Sequence, residues 1–173
     1  MRVNDFGDYV ASWHDLFTLT GTAAVTLLGL LFVAISLRMD IRKQSENSYR
    51  KRMTSQNLTS FLTVFMISCY FLIPDADPQG IAIAIVATTA IPLLNVVRSI
   101  GAYHREPAVS REMFIWYGVV QPACYVAAIL GALALGRWED RALSAMLTVM
   151  FFLLLIPTQN AWNLVATPED PSA

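Results

Sequence analysis

The long apolar runs of this sequence hold no Asp, Glu, Lys, Arg or His, and the most polar side chains in them are amides. Gln56, Asn57, Asn95, Gln121, Gln159, Asn160 and Asn163 lie within or beside long apolar runs. An amide both donates and accepts hydrogen bonds. Left unsatisfied in hydrocarbon it costs about 2–7 kcal/mol, so these groups must face one another, carbonyls freed at prolines, or water. Three readings of the set stay open at this point. It is glue between helices, a water-filled vestibule on a conduction path, or a pocket for a ligand or lipid headgroup. Gln121 is the most informative member, because it lies far into its run, nine residues past Glu112.

A second cluster is Trp13-His14-Asp15, with Asp5 and Asp8 close in sequence. A histidine beside carboxylates can bind a metal or titrate near neutrality. The plainer reading makes these interface residues, with Asp15 complementing the dipole at a helix amino terminus. Two His and two Cys give no zinc-type ligand spacing, so no metal or other cofactor is expected. Cys69 and Cys124 both fall in apolar runs, where thiols behave as small hydrophobes.

The elements that must position these groups are five charge-free stretches, 16–37, 53–74, 78–97, 113–136 and 142–168. All 12 Lys and Arg and all 13 Asp and Glu lie outside them. About 20 apolar residues span the ~30 Å hydrocarbon core, and a charge at its centre costs at least ~2.5 kcal/mol. The segregation therefore predicts an all-α integral membrane bundle of five transmembrane helices, at about 14–38, 55–73, 79–98, 113–136 and 142–164. One membrane domain, 1–173, accounts for the whole sequence. The first run is too long and too poorly preceded by basic residues for a cleaved signal, and is expected to be retained.

Loop charges predict the orientation. Arg38, Arg42, Lys43, Arg50, Lys51 and Arg52 fall between the first two helices, and Arg98, Arg105 and Arg111 between the third and fourth. The other side holds only Arg2, Arg137 and Arg141. The positive-inside rule then puts the amino terminus outside and the carboxyl terminus in the cytoplasm. Arg42, Lys43, Arg50, Lys51 and Arg52 form a basic collar suited to anionic lipid, each charge contributing about 1 kcal/mol. Trp13, Trp116, Trp138 and Trp162 sit at the ends of apolar runs, as an aromatic belt requires.

Within the helices, polar and small residues recur at helical spacing. Thr18, Thr22, Thr26, Gly29 and Ser36 make one stripe along helix 1, which reads either as a packing face or as the lining of a pore. Helix 2 carries Gln56, Ser60, Thr63 and Tyr70 on one face. Helix 3 carries Ala84, Thr88, Pro92 and Asn95, and helix 4 carries Gly118, Gln121, Pro122 and Tyr125. Pro92, Pro122 and Pro157 are internal, each removing a donor from the helix ladder and inviting a kink.

Absences narrow the function. No Asp, Glu, Lys, Arg or His falls in any charge-free stretch. Proton-coupled pumps and voltage sensors need ionisable groups in the membrane. Intramembrane hydrolysis needs a nucleophile with its base, or a metal. The chain is therefore read as a non-enzymatic helper or regulatory protein that binds lipid, a second copy of itself or another membrane protein. No nucleic-acid partner is expected. The alternative is a homo-oligomeric channel lined by the weakly polar stripe of helix 1 or of helix 3.

The runs Trp13-His14-Asp15-Leu16-Phe17, Gly21-Thr22-Ala23-Ala24 and Leu28 to Ser36, with Asn160-Ala161-Trp162-Asn163-Leu164 near the end, resemble a family of small, mostly uncharacterised bacterial integral membrane proteins. Some of its members are labelled modulators of a membrane-anchored ATP-dependent protease. The resemblance covers the two ends of the chain and implies a bacterial cytoplasmic membrane and a non-enzymatic role.

Overall fold

The computed structural model describes residues 10–39, 48–74, 77–105, 114–135 and 141–166, and all regular structure among them is helical. The elements are α1 (His14–Met39), α2 (Ser48–Phe71), α3 (Pro78–Arg105), a π-helical turn (Trp116–Val120) leading directly into α4 (Gln121–Leu135), and α5 (Arg141–Ala166). Each helix packs on the next one in sequence. α5 closes the ring against α1 and also lies against α2. Phe17 at the start of α1 stacks on Phe71 at the end of α2, centroids 4.3 Å apart, so these two helices run antiparallel. Asn57 meets Tyr117 while Ser60 meets Gln121 and Tyr125, so α2 and α4 run in the same direction.

Local chemistry sets the ends. Asp77 caps α3: its carboxylate accepts the Gly80 N–H at 3.1 Å, and its carbonyl accepts the Ile81 N–H at 3.0 Å. Pro78 follows at the first helical position, where its missing N–H leaves nothing unsatisfied. α2 finishes at Phe71, three residues before Pro74, with the Leu72 N–H folding back to the Cys69 carbonyl at 3.1 Å. At the start of α1 the Trp13 carbonyl accepts both the Leu16 and Phe17 N–H groups.

The interior is filled by large side chains, among them Phe17, Phe61, Ile67, Ile85, Met146 and Leu153. The outside is equally apolar, with Leu19, Leu30, Ile83, Ile91, Leu130 and Leu155 all exposed. A surface of that kind suits a lipid solvent and not water. Four of the five helices are long and apolar enough to cross a membrane, over His14–Ser36, Pro78–Gly101, Trp116–Leu135 and Ala142–Gln159. The chain is thus built as a multi-pass membrane protein.

Two sequence expectations change here. Five helices form, but α2 falls short of the apolarity of the other four, because Gln56, Asn57, Ser60, Thr63 and Ser68 lie on it. All five of those side chains are buried. α2 packs against α1, α3 and α5, so its polar face meets protein and not lipid. Helix limits also differ from the charge-free runs. α2 begins at Ser48 and takes Arg50, Lys51 and Arg52 into its first turns, while α3 continues past Arg98 to Arg105. A charge excludes a residue from hydrocarbon and does not stop a helix in the headgroup layer, where arginine and lysine are good helix formers.

Candidate functional site

The buried polar residues collect where α2 faces the start of α4. On α2, Asn57 and Ser60 are fully buried (0 % exposed each), with Gln56 beside them at 8 %. Opposite stand Tyr117, Gln121 and Tyr125, at 1 %, 1 % and 0 %. The Tyr117 hydroxyl donates to Asn57 Oδ1 at 3.1 Å. Gln121 Nε2 donates to Ser60 Oγ at 2.8 Å, and Ser60 Oγ shares a hydrogen bond with the Tyr125 hydroxyl at 3.0 Å. Residues 60 to 65 positions apart in sequence are therefore joined by three side-chain bonds in a protein interior.

The π turn aligns this constellation. Tyr117, Gln121 and Tyr125 follow one another at four-residue steps, which in a regular α-helix overshoot a full revolution by about 40° each time. In the turn Trp116–Val120 the Gln121 N–H reaches back five residues to the Trp116 carbonyl. That wider turn offsets the overshoot and keeps Tyr117 on the line of Gln121. Pro122 explains why the turn is there: its ring crowds the carbonyl four residues back, at Gly118, and the widened ladder relieves the clash. Gly118 itself sits against a ring, since a Cβ at this position would lie 3.3 Å from the Phe114 side chain.

Asn57 and Gln121 each leave one amide atom without a protein partner. These atoms are Asn57 Nδ2 and Gln121 Oε1, and an unsatisfied buried group costs about 1–3 kcal/mol. The cluster is neutral throughout. It can hold a hydrogen-bonding group and orient it, but offers no charge to move a proton or to stabilise an ion.

The other expected residues are dispersed. Of the seven amides singled out, Asn57 and Gln121 enter the cluster and Gln56 is buried next to Asn57 in sequence, whereas Asn95 and Gln159 are exposed on the outside of α3 and α5. Asn160 and Asn163 lie in α5, with their side chains outside the described set. The single polar layer read from sequence is therefore replaced by one α2–α4 cluster, because Asn95 and Gln159 sit on helix faces turned away from the interior. The stripe of α1 also faces outward: Thr18, Thr22, Thr26, Gly29 and Ser36 are all exposed. It neither packs inside this chain nor lines an interior path with Gln121. The hydroxyls of Thr22, Thr26 and Ser36 each bond the carbonyl four residues earlier at 2.8–2.9 Å, so the face carries little unsatisfied polarity. The inward polar group of α1 is instead Thr20, 2 % exposed, bonded to the Leu16 carbonyl at 2.7 Å.

His14 and Asp15 form an exposed contact, Nδ1 to Oδ1 at 3.4 Å. Asp5 and Asp8 lie outside the described residues, and among those described no group of three or more His, Cys, Asp or Glu could hold a metal. Of the basic collar, Arg52 is exposed on α2. Arg50 and Lys51 belong to its first turns, and Arg42 and Lys43 lie outside the described residues. Cys69 and Cys124 are free thiols.

The sequence places Ser60 on the face of Gln56 and Tyr125 on the face of Gln121 without setting either in the polar layer, and it misses Tyr117. The signal was available in part, since Ser60 follows Gln56 by four residues and Tyr117 and Tyr125 flank Gln121 by four on each side. No protein family, curated protein or solved structure matches this chain.

Proposed function

We propose that this chain is a non-enzymatic multi-pass protein of the bacterial cytoplasmic membrane that acts by docking, with the outer face of α1 as the docking surface. The observation that carries the reading is the outward stripe of Thr18, Thr22, Thr26, Gly29 and Ser36. Small residues let two helices approach closely in lipid, where close packing is a main source of association. At Gly29 nothing lies within 4 Å of where a Cβ would stand, so a partner helix has an open notch to enter. Hydroxyls tied to their own backbone let that face pack dry.

The same reading has all five helices crossing the bilayer, amino terminus outside. α2 supports this by its length, since 24 residues at 1.5 Å each extend about 36 Å, and by its inward polar face. The basic residues between α1 and α2 and after α3 support the orientation. The absence of any Asp, Glu, Lys, Arg or His from the charge-free stretches supports a role without catalysis.

A second reading, a channel assembled from several copies with the same stripe as lining, uses the same face. Hydroxyls committed to their own helix favour dry packing over a wet lining. Both readings are tested together by placing Cys at Thr22 or Thr26 in membranes, with Gly29→Leu as the blocking variant. Disulfide or crosslinker capture that Gly29→Leu abolishes supports docking through α1. Solute flux in proteoliposomes that Gly29→Leu abolishes supports the channel. Neither capture nor flux, with the protein folded, refutes the use of α1 as an interface.

A further inference from the structure

The outward α1 stripe and the exposed His14–Asp15 pair offer nothing beyond what has been said of them. The α2–α4 cluster does. We infer that it is a binding site for one small neutral hydroxylic molecule, water or a low-molecular-weight alcohol, held between the side-chain amides of Asn57 and Gln121. This goes beyond the docking role and stands independently of it.

The inference begins with satisfiability. Each of these amides uses one of its two polar atoms within the protein, Asn57 through Tyr117 and Gln121 through Ser60. The other atom of each, Asn57 Nδ2 and Gln121 Oε1, has no partner, at 0 % and 1 % residue exposure. Turning either amide about its last bond exchanges oxygen for nitrogen but leaves the second position of each unfilled. As the amides stand, the occupant meets one donor and one acceptor, and an O–H group answers both; with one amide turned it meets two of a kind, which water also answers.

The two amides share one neighbourhood. Ser60, the partner of Gln121, is three residues from Asn57 on α2, and Tyr117, the partner of Asn57, is four residues from Gln121 across the π turn. Enclosure limits the size of the occupant, because an acyl chain could not trail from residues this buried without parting the helices. Charge limits its kind: no ionised side chain belongs to the cluster, and an ion taken into such a site loses hydration that nothing repays. A buried water with two to four polar partners is the usual occupant of such a place.

The test is magnetisation transfer to the Asn57 side-chain amide by NMR, on the full-length chain with ¹⁵N-labelled Asn and Gln in lipid nanodiscs. Transfer from water protons to the Asn57 NH₂ group is expected. It should persist in Tyr117→Phe, which removes the hydroxyl that could relay protons, and be lost in Gln121→Met. Addition of ¹³C-labelled ethanol or glycerol distinguishes the sources: transfer from the alcohol that displaces the water signal makes the alcohol the occupant, and an unchanged water signal makes it water. No transfer from either source to Asn57 in the wild-type chain overturns the inference, and needs no variant to fold. Transfer that vanishes in folded Tyr117→Phe overturns it as well, because the signal then arose from the tyrosine.

Discussion

Ser60→Ala is the most informative single change in this molecule. Ser60 Oγ is the node of the α2–α4 cluster, bonded to Gln121 Nε2 at 2.8 Å and to the Tyr125 hydroxyl at 3.0 Å. Removing it deletes two bonds and takes a partner from two side chains closed off from the surroundings, at 1 % and 0 % exposure. Side-chain hydrogen bonds in membrane proteins average about 0.6 kcal/mol and reach about 1.7. A buried group left unsatisfied costs about 1–3 kcal/mol. Two such groups place the expected loss at about 2–6 kcal/mol, with little added for volume, because only one oxygen is removed. Tyr125→Phe deletes one bond and should cost about 1 kcal/mol. In the double variant Tyr125→Phe also removes a group that Ser60→Ala had orphaned, so the two losses should fall short of additivity by about 1 kcal/mol. The assay is reversible unfolding of the full chain in mild detergent titrated with a denaturing one, followed by circular dichroism. Thr89→Val is the control: Thr89 is fully buried, but its hydroxyl bonds its own helix at Ile85 O, 2.7 Å away. Additive losses, or a Ser60→Ala loss no larger than that of Thr89→Val, would refute the claim that this cluster joins α2 to α4.

Other substitutions test the packing around the site. A Cβ at Gly21 would stand 3.0 Å from Ser68 Cβ across the α1–α2 contact, so Gly21→Leu should destabilise by about 1–3 kcal/mol through overpacking. Gly29→Leu, with open space at the same distance, should unfold at or above the wild-type detergent concentration. Phe71→Ala removes one ring of the Phe17–Phe71 stack from a position 2 % exposed. It should cost about 3–5 kcal/mol in the same titration. Tyr70→Phe removes a half-buried hydroxyl bonded to Thr88 Oγ1 at 2.8 Å and should cost no more than about 1 kcal/mol. A larger loss would mean that the α2–α3 contact depends on that bond far more than its exposure implies.

Much of the architecture was legible because the cost of placing a charge in hydrocarbon is local and adds along the chain. The charge-free runs therefore marked the helices almost to their ends. They erred at Ser48 and Arg105, where a helix continues into the headgroup layer that charges tolerate. Gln56, Asn57 and Gln121 were identifiable as groups needing partners for the same reason: an amide in apolar sequence must be satisfied somewhere.

The sequence alone determined the helical class, the order of the apolar stretches and the types of residue that had to find partners. Only the tertiary structure decided which amides meet, that Asn95 and Gln159 stay outside, and that the α1 stripe turns away from the bundle. The physical reason is the solvent. In water a polar face tells a helix which way to rotate, but here the core and the outer surface are equally apolar. Rotation is then set by how side chains of neighbouring helices interlock, and at the site by a π turn that Pro122 forces into the ladder. Those are properties of pairs of helices, and no single stretch of sequence contains them.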